Sequence, residues 1–364
     1  MIRITSSAGT YDVHCANGVL ARSRSMISKL GDSTGVFVLS SPRVWRHWGK
    51  QVANSLGVTR ADRLILFEDS ERTKRLQTVE GLTRALVRAG ADRRALVVAV
   101  GGGVVGDVGG FVAATYQRGV RLAHIPTTVV AQVDSAIGGK TAVDLPEGKN
   151  LVGAFYPPKI VLADPTVLAT LPHREFRSGL YEVVKYGVIA DPELFDFFEK
   201  RLAAILRRDQ AAMGWLIPRS IGIKAYVVEK DEHESGLRKI LNFGHTLGHA
   251  FETATNYSYF KHGEAVGWGM IAATMMAVAV GLLEEEEASR IIRVVAGIGP
   301  LPPLKNFGLP RLKKILAGDK KAQGGRVLWV LPRRIGQTEW NCEVPWPVVA
   351  QVLKDLPGIA AKAA

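Results

Sequence analysis

The segment Asn242-Phe-Gly-His245-Thr-Leu-Gly-His249 places two imidazoles four residues apart, one above the other on a single helix face. Glu252 would extend that face, and a third imidazole, His262, follows in His-Gly-Glu. Upstream, Gly179-Leu-Tyr-Glu182-Val-Val-Lys185-Tyr offers a carboxylate and an amine on one helical face. A catalytic divalent metal such as zinc takes three nitrogen or oxygen ligands and leaves one position open. Spacing alone suggests His245, His249 and Glu252, or either of those histidines with His262, and does not choose between them. Glu264, in the same His-Gly-Glu, reads as ordinary first-turn helix chemistry.

A second constellation is the run Gly101-Gly-Gly-Val-Val-Gly-Asp-Val-Gly-Gly, directly after an apolar stretch ending at Val100. Gly101, Gly103 and Gly106 satisfy G-x-G-x-x-G, which lets a backbone approach a pyrophosphate closely. The acidic residue usual about twenty positions on is absent, for the chain there reads Arg121-Leu-Ala-His-Ile. By itself the run is equally a tight strand-to-helix turn.

Elements must exist to hold these residues. Val36-Phe37-Val38-Leu39, Leu64-Ile65-Leu66 and Ala95 to Val100 read as buried strands, and Glu80 to Ala89 as a helix between them. That rhythm predicts a parallel sheet covered by helices on both faces. From Arg174 onward the pattern is helical, with few strand signals before Val327-Leu328-Trp329-Val330. The expected organisation is an α/β domain over 1–165 and a mostly α-helical domain over 166–364.

Composition narrows the function classes. The chain has 364 residues, 47% of them hydrophobic, enough for a sizeable core. Its two cysteines, Cys15 and Cys342, have no metal-like spacing and fit a reducing cytoplasm rather than a disulfide framework. The opening Met-Ile-Arg-Ile-Thr-Ser-Ser does not read as a signal peptide. Ala265 to Leu283 carries no charge but is rich in Ala and Gly, and ends in Glu284 to Glu287 without a basic belt. It reads as a buried core helix, not a membrane span. The formal charge of +13 is mostly scattered; one tract, Lys305 to Arg334, is basic with only Asp319 as counter-charge. No nucleic-acid signature accompanies that tract, so steering of an anionic small substrate is the expectation.

With these motifs in view, the chain resembles 3-dehydroquinate synthases over nearly its whole length. The stretches that carry the resemblance are Gly101-Gly-Gly-Val-Val-Gly-Asp107, Pro126-Thr-Thr, Gln132-Val-Asp134-Ser-Ala-Ile-Gly-Gly-Lys140-Thr, Gly148-Lys149-Asn150, Glu182-Val-Val-Lys185-Tyr-Gly, Gly236-Leu-Arg238-Lys-Ile-Leu-Asn242-Phe-Gly-His245-Thr-Leu-Gly-His249 and His262-Gly-Glu. The resemblance implies a Rossmann-like N-terminal domain and a helical C-terminal one. It implies zinc (cobalt as an alternative) on Glu182, His245 and His262, with His249 facing the substrate. It implies NAD on Gly101, Gly102, Gly103, Val104, Gly106, Asp107, Thr127 and Thr128, with Glu71 and Lys74 towards the adenosine end and Lys140, Lys149 and Thr170 in the same set. The phosphorylated sugar-acid substrate falls to Asp134, Lys140, Lys149, Asn150, Lys185, Lys224, Arg238, Asn242, His249 and Lys320 or Lys321. Arg118 matches a residue that joins the phosphate site across a homodimer interface.

The implied reaction closes 3-deoxy-D-arabino-heptulosonate 7-phosphate into 3-dehydroquinate, the second step of the shikimate pathway. Relatives that make other carbocycles tend to differ in the Gly-Gly-Lys-Thr and Leu-Asn-Phe-Gly-His stretches, which here have the dehydroquinate-synthase form. A metal-dependent NAD polyol dehydrogenase would need zinc and NAD but not Lys140, Asn150, Arg238 and Asn242. Two stretches depart from the common family form. Ala142-Val143-Asp144 stands where Gly-Val-Asn is frequent, adding a negative charge near lysines, and Ser40-Ser41-Pro42-Arg43 lacks the Asp that often holds the cofactor ribose.

Overall fold

The structure, a computed structural model, describes residues 1–304, 307–318 and 327–363. It divides into two compact units, Met1–Pro172 with Met213–Glu232, and His173–Ala212 with His233–Ala364. The chain therefore changes unit at Pro172 rather than at 165, and Met213–Glu232 joins the first unit. Near its end it is hydrogen-bonded to the start of the chain: the Thr5 amide donates to Glu229 Oε1 at 2.7 Å and the Ser7 amide to Glu232 Oε2 at 2.8 Å.

In the first unit the strands β1 (Ile2–Ser6), β2 (Gly9–Cys15), β3 (Val36–Ser40), β4 (Leu64–Leu66), β5 (Leu96–Gly101), β6 (Arg121–Pro126) and β9 (Ile160–Ala163) form one sheet. Its order is β1-β2-β9-β6-β5-β3-β4, parallel throughout except for the β1–β2 hairpin. The expected parallel sheet is thus present. Both of its faces are covered. Phe37, Leu39, Val97 and Ala99 pack with Leu82 and Leu86 of α3 (Leu76–Arg88) and with Val105, Val108 and Val112 of α4 (Gly103–Thr115). Val38, Val98 and Val100 pack with Ile27 of α1 (Ser23–Ile27) and with Val52 and Leu56 of α2 (Pro42–Leu56). Consecutive apolar residues in one strand supply both layers, the signature of a strand buried on two sides. A separate antiparallel hairpin, β7 (Lys140–Leu145) and β8 (Gly148–Phe155), completes the unit with most of α7 (Gln210–Lys230).

The second unit holds α5 (His173–Ala190), α6 (Pro192–Leu206), α8 (His245–Ala254), α9 (His262–Ala279), α10 (Glu285–Gly297), α11 (Leu309–Ala317), the hairpin β10 (Leu328–Arg334) and β11 (Gln337–Glu343), and α12 (Trp346–Ala363). The apolar Ala265–Leu283 run lies largely in α9 and is buried along most of its length. No described helix is long and apolar enough to cross a membrane.

Glycines decide how closely α9 can lie against its neighbours. A Cβ on Gly269 would sit 1.8 Å from the Gly244 carbonyl oxygen, and one on Gly263 would sit 1.8 Å from that of Ser178. No side chain fits at either place, so backbone meets backbone. The first contact lies beside His245 and the second beside His262, with Ser178 one turn before Glu182. The close packing of α5, α8 and α9 is what gathers these three residues.

Candidate metal centre and dinucleotide site

In the second unit, Glu182, His245 and His262 each bring one donor atom within 4.8 Å of the others. Glu182 is 1% exposed and hydrogen-bonds through Oε2 to the Lys185 ammonium, one turn on along α5. Its other oxygen, Oε1, stands 3.4 Å from His245 Nε2 and 3.2 Å from His262 Nε2. Those contacts lack hydrogen-bond geometry, and Oε1 is a buried oxygen with no partner.

The far side of each ring explains the mismatch. His245 Nδ1 stands 3.1 Å from the Phe243 carbonyl oxygen, an acceptor only, so Nδ1 carries the proton of the neutral ring. His262 Nδ1 stands 3.3 Å from Glu252 Oε2, which likewise only accepts when ionised. Both neutral rings therefore turn a lone pair at Nε2 towards a carboxylate oxygen. Three lone pairs converge, and a cation among them satisfies all three. The donor set, two imidazoles and one carboxylate, is that of a catalytic zinc site.

Charges agree with this. Burial pushes the Glu182 carboxyl up, but Lys185 and His245 hold it well below the usual carboxylate range. Burial lowers His245, with Lys185 acting in the same direction against Glu182. His262 is disfavoured as a cation by burial, yet Glu252 and Glu182 on its two sides lift it to about 10. A proton there answers the same demand that a metal would.

His249 belongs to the cluster without joining that triad. Its ring centroid lies 5.4 Å from that of His245 and 6.0 Å from that of His262. It forms a second potential group with Glu252 and His262, which the i, i+4 spacing had left open. On the short helical turn Leu237–Asn242, Arg238 is 2% exposed and Asn242 donates to Glu234 Oε1 at 2.7 Å. Glu264 accepts the Lys261 amide at the start of α9 and pairs with Arg174, the helix chemistry expected of it.

The first unit carries the dinucleotide candidates. The chain leaves β5 at Gly101, and α4 begins at Gly103 with Gly102 as its N-cap and no side chain capping it. Its first-turn amides, Val104 among them, are left for an anion in the manner of a pyrophosphate site. Thr127 follows β6, its amide bonded to the Gly101 carbonyl at 2.9 Å, while Thr128 Oγ1 accepts from the Ala131 amide. Lys74, nearly buried, donates to Asp107 Oδ2 at 2.6 Å and to Asn150 Oδ1 at 2.5 Å. One network thus joins residues that the sequence reading had divided between cofactor and substrate. Burial would disfavour the Lys74 ammonium, but Asp107 and Glu71 raise it above the ordinary lysine range. Nearby, Lys149 pairs with Glu71 at 3.0 Å. Lys224 pairs with Asp134 at 2.6 Å, Asp134 lying in a π-helical turn, Ala131–Ser135. Lys140 opens β7 as an exposed side chain, and Thr170 accepts from Trp48 Nε1.

Both departures from the common family form have a structural role. Asp144 Oδ1 accepts the Asn150 amide at 2.8 Å, holding Asn150 at φ +54°, a left-handed conformation. Asp144 is tied to one backbone amide, and Lys74 and Lys149 offset its charge, which burial nonetheless makes harder to form. Arg43 faces a carboxylate after all, Asp69 at 3.9 Å, and Ser41 caps α2. Sequence reading named neither Asp69 nor Glu234, and did not find the partners of Asp144 and Glu252, because each of these contacts is made by the fold. Arg118 sits in a turn where it and Gln117 have φ of +65° and +52°, rare for residues with side chains. Lys320 and Lys321 lie outside the described residues.

Comparisons with known proteins agree along the chain. Residues 64–178 match the family model for the 3-dehydroquinate synthase N-terminal domain and 179–322 that for its C-terminal domain. A 3-dehydroquinate synthase of Koribacter versatilis is 46% identical over 357 residues, 98% of this chain and 97% of that protein. Among solved structures, a 2-deoxy-scyllo-inosose synthase complexed with carbaglucose-6-phosphate, NAD+ and Co2+ superposes with a TM-score of 0.87 at 28% identity, covering 97% of this chain and 99% of that one. A 2-epi-5-epi-valiolone synthase from Streptomyces hygroscopicus with NAD+ and Zn2+ bound gives 0.85 at 29%, covering 95% and 96%.

Proposed function

We propose a reaction from one premise: the chain belongs to the 3-dehydroquinate synthase family. It converts 3-deoxy-D-arabino-heptulosonate 7-phosphate to 3-dehydroquinate and phosphate, by transient oxidation, phosphate β-elimination, re-reduction and intramolecular aldol closure. Its cofactors are NAD and a divalent metal, zinc or cobalt. The observation that carries the metal assignment is the buried Glu182 Oε1, without a hydrogen-bond partner and faced by two Nε2 atoms.

Glu182, His245 and His262 would hold the metal, and the glycine turn 101–107 with Thr127, Thr128, Glu71, Lys74, Lys149 and Thr170 would hold NAD. When bound, NAD takes up and returns a hydride while the metal acidifies the alcohol that loses it. The protein's own groups do the rest. Lys140, Lys224, Arg238 and Arg118 supply cations to fix the phosphate, and the resemblance assigns Lys320 or Lys321, both outside the described residues, to the same set. Asn150 and Asn242 orient hydroxyl groups without adding charge. Lys185, already hydrogen-bonded to Glu182, keeps that carboxylate ionised and its Oε1 aimed at the imidazoles. His249, beside the triad, exchanges a proton with the substrate through a ring nitrogen. Asp134 positions Lys224.

Supplied with zinc, trace NAD and the heptulosonate phosphate, the protein should release phosphate and form the carbocycle over many turnovers with no net NADH. Stoichiometric NADH accumulation would point instead to a polyol dehydrogenase. The assembly is read as a cytoplasmic homodimer. If Arg118 completes the partner's phosphate site, a hybrid of Arg118→Ala and Lys140→Ala chains regains about half of one wild-type dimer's activity, since one composite site is intact. A hybrid as inactive as both parents means that Arg118 acts within its own chain.

A further inference from the structure

Glu252 has no part in the reaction as read above, yet its carboxylate is 4% exposed and aimed at His262 Nδ1, 3.3 Å away. It lies on α8 one turn beyond His249, so its position admits two roles. With His249 and His262 it makes a three-donor group of its own. Alternatively it holds the ring whose opposite nitrogen faces Glu182.

Geometry separates these roles. The two nitrogens of His262 point to different carboxylates, Nδ1 to Glu252 and Nε2 to Glu182. Only one of them can carry the proton of the neutral ring. The oxygen left without a hydrogen-bond partner belongs to Glu182, whereas neither oxygen of Glu252 is left in that state. The demand for a cation is therefore on the Nε2 side.

His262 also has a need that His245 lacks. Its side chain is 37% exposed and opens α9, whereas that of His245 is 11% exposed and faces a backbone carbonyl through Nδ1. A partly exposed ring at a helix start is less constrained by packing than His245, so a hydrogen bond to its far nitrogen is what fixes it.

We propose that Glu252 is the positioning residue of the metal centre. It accepts a hydrogen bond from His262 Nδ1, fixes that tautomer, and so presents the Nε2 lone pair to the metal without ligating it. A carboxylate behind an imidazole ligand also makes that ligand more basic. The inference rests on the metal assignment made above.

Zinc affinity by chelator competition tests it, alongside the visible spectrum of the Co2+-loaded protein, which reports ligand number. Glu252→Ala and the volume-filling Glu252→Met should bind zinc about 10- to 100-fold more weakly, with the Co2+ spectrum unchanged in type at saturation. Glu252→Gln keeps an acceptor for the Nδ1 proton and should recover most of that affinity. NAD affinity should be unaltered in all three. Wild-type zinc affinity in Glu252→Met overturns the proposal. So does a Co2+ spectrum showing a lost ligand, with Glu252→Gln as weak as Glu252→Met, for Glu252 would then be a ligand. Failure of the underlying metal assignment looks different: Glu182→Ala and His245→Ala would retain wild-type zinc affinity.

Discussion

The two polar clusters of this protein differ in what they lack. Around Lys74 in the first unit the charges answer one another: its ammonium meets Asp107 and Asn150, and Lys149 meets Glu71. Around Glu182 in the second unit three acceptor atoms converge and one carboxylate oxygen has no donor. The first cluster pairs its charges internally. The second leaves a buried carboxylate oxygen without a hydrogen bond, a cost in unpaired polarity that a cation held there, as proposed above, would relieve.

The largest expected effect tests the incomplete cluster. His262→Ala should purify metal-poor and inactive, because a three-ligand site loses one ligand. His249→Ala should keep its zinc and its NAD affinity but lose about two to four powers of ten in rate, as for a removed proton-transfer group. Metal analysis of the two purified variants decides between them. Zinc kept by His262→Ala and lost by His249→Ala would transfer the metal to the i, i+4 pair.

A smaller effect tests the complete cluster. Lys74→Met leaves Asp107 and Asn150 facing no cation, and removing one partner of a buried pair costs about 3 kcal/mol or more. Urea unfolding of the first unit's transition should show that loss, with weaker NAD binding and unchanged zinc content. A stability unchanged by Lys74→Met would mean that Asp107 readily finds water, and the contrast between the clusters would fade.

The smallest effect concerns Asp144→Asn. The amide oxygen of an asparagine can still accept from the Asn150 backbone, so stability should shift by less than about 1 kcal/mol. The same urea titration measures it. A large loss would show that the charge, and not the acceptor, holds Asn150.

The sequence displayed the parallel sheet where strands are continuously apolar, as at Val36–Leu39 and Ala95–Val100, and showed α9 as a core helix. It hid β6, which carries Arg121 and His124 among apolar residues, and the β7–β8 hairpin, whose Lys140, Thr141, Asp144, Lys149 and Asn150 give no clear alternation. Motif spacing found the histidines of the metal cluster but left its membership open, and Glu182 entered as a ligand only through the family resemblance. Helix periodicity relates residues on one helix only, and here each of the three donors comes from a different helix. What brings His262 to Glu182 is backbone contact at Gly263 and Ser178, and no local pattern records that. Family resemblance supplied the assignment; the contacts of Asp144 with Asn150, Asp69 with Arg43 and Glu252 with His262 needed the fold.

The turn before β6 has a consequence for engineering. Gln117 and Arg118 both occupy the left-handed region, and Gly119 follows at φ +121°. The turn is held from both sides: the Tyr116 hydroxyl donates to the Ala91 carbonyl at 2.6 Å, and the Tyr156 hydroxyl to that of Val120 at 2.7 Å. Conformations of this kind cost about 1–3 kcal/mol per residue and persist only where neighbours enforce them. A glycine at 117 would relieve that strain while widening the conformations open to the unfolded chain, so the net gain is small. What would be surrendered is stiffness beneath Arg118. A guanidinium on a clamped backbone has little freedom left to lose when it meets an anion, whereas one on a supple loop must be immobilised at each encounter. Attempts to raise the thermal tolerance of this protein should therefore leave residues 116–119 alone.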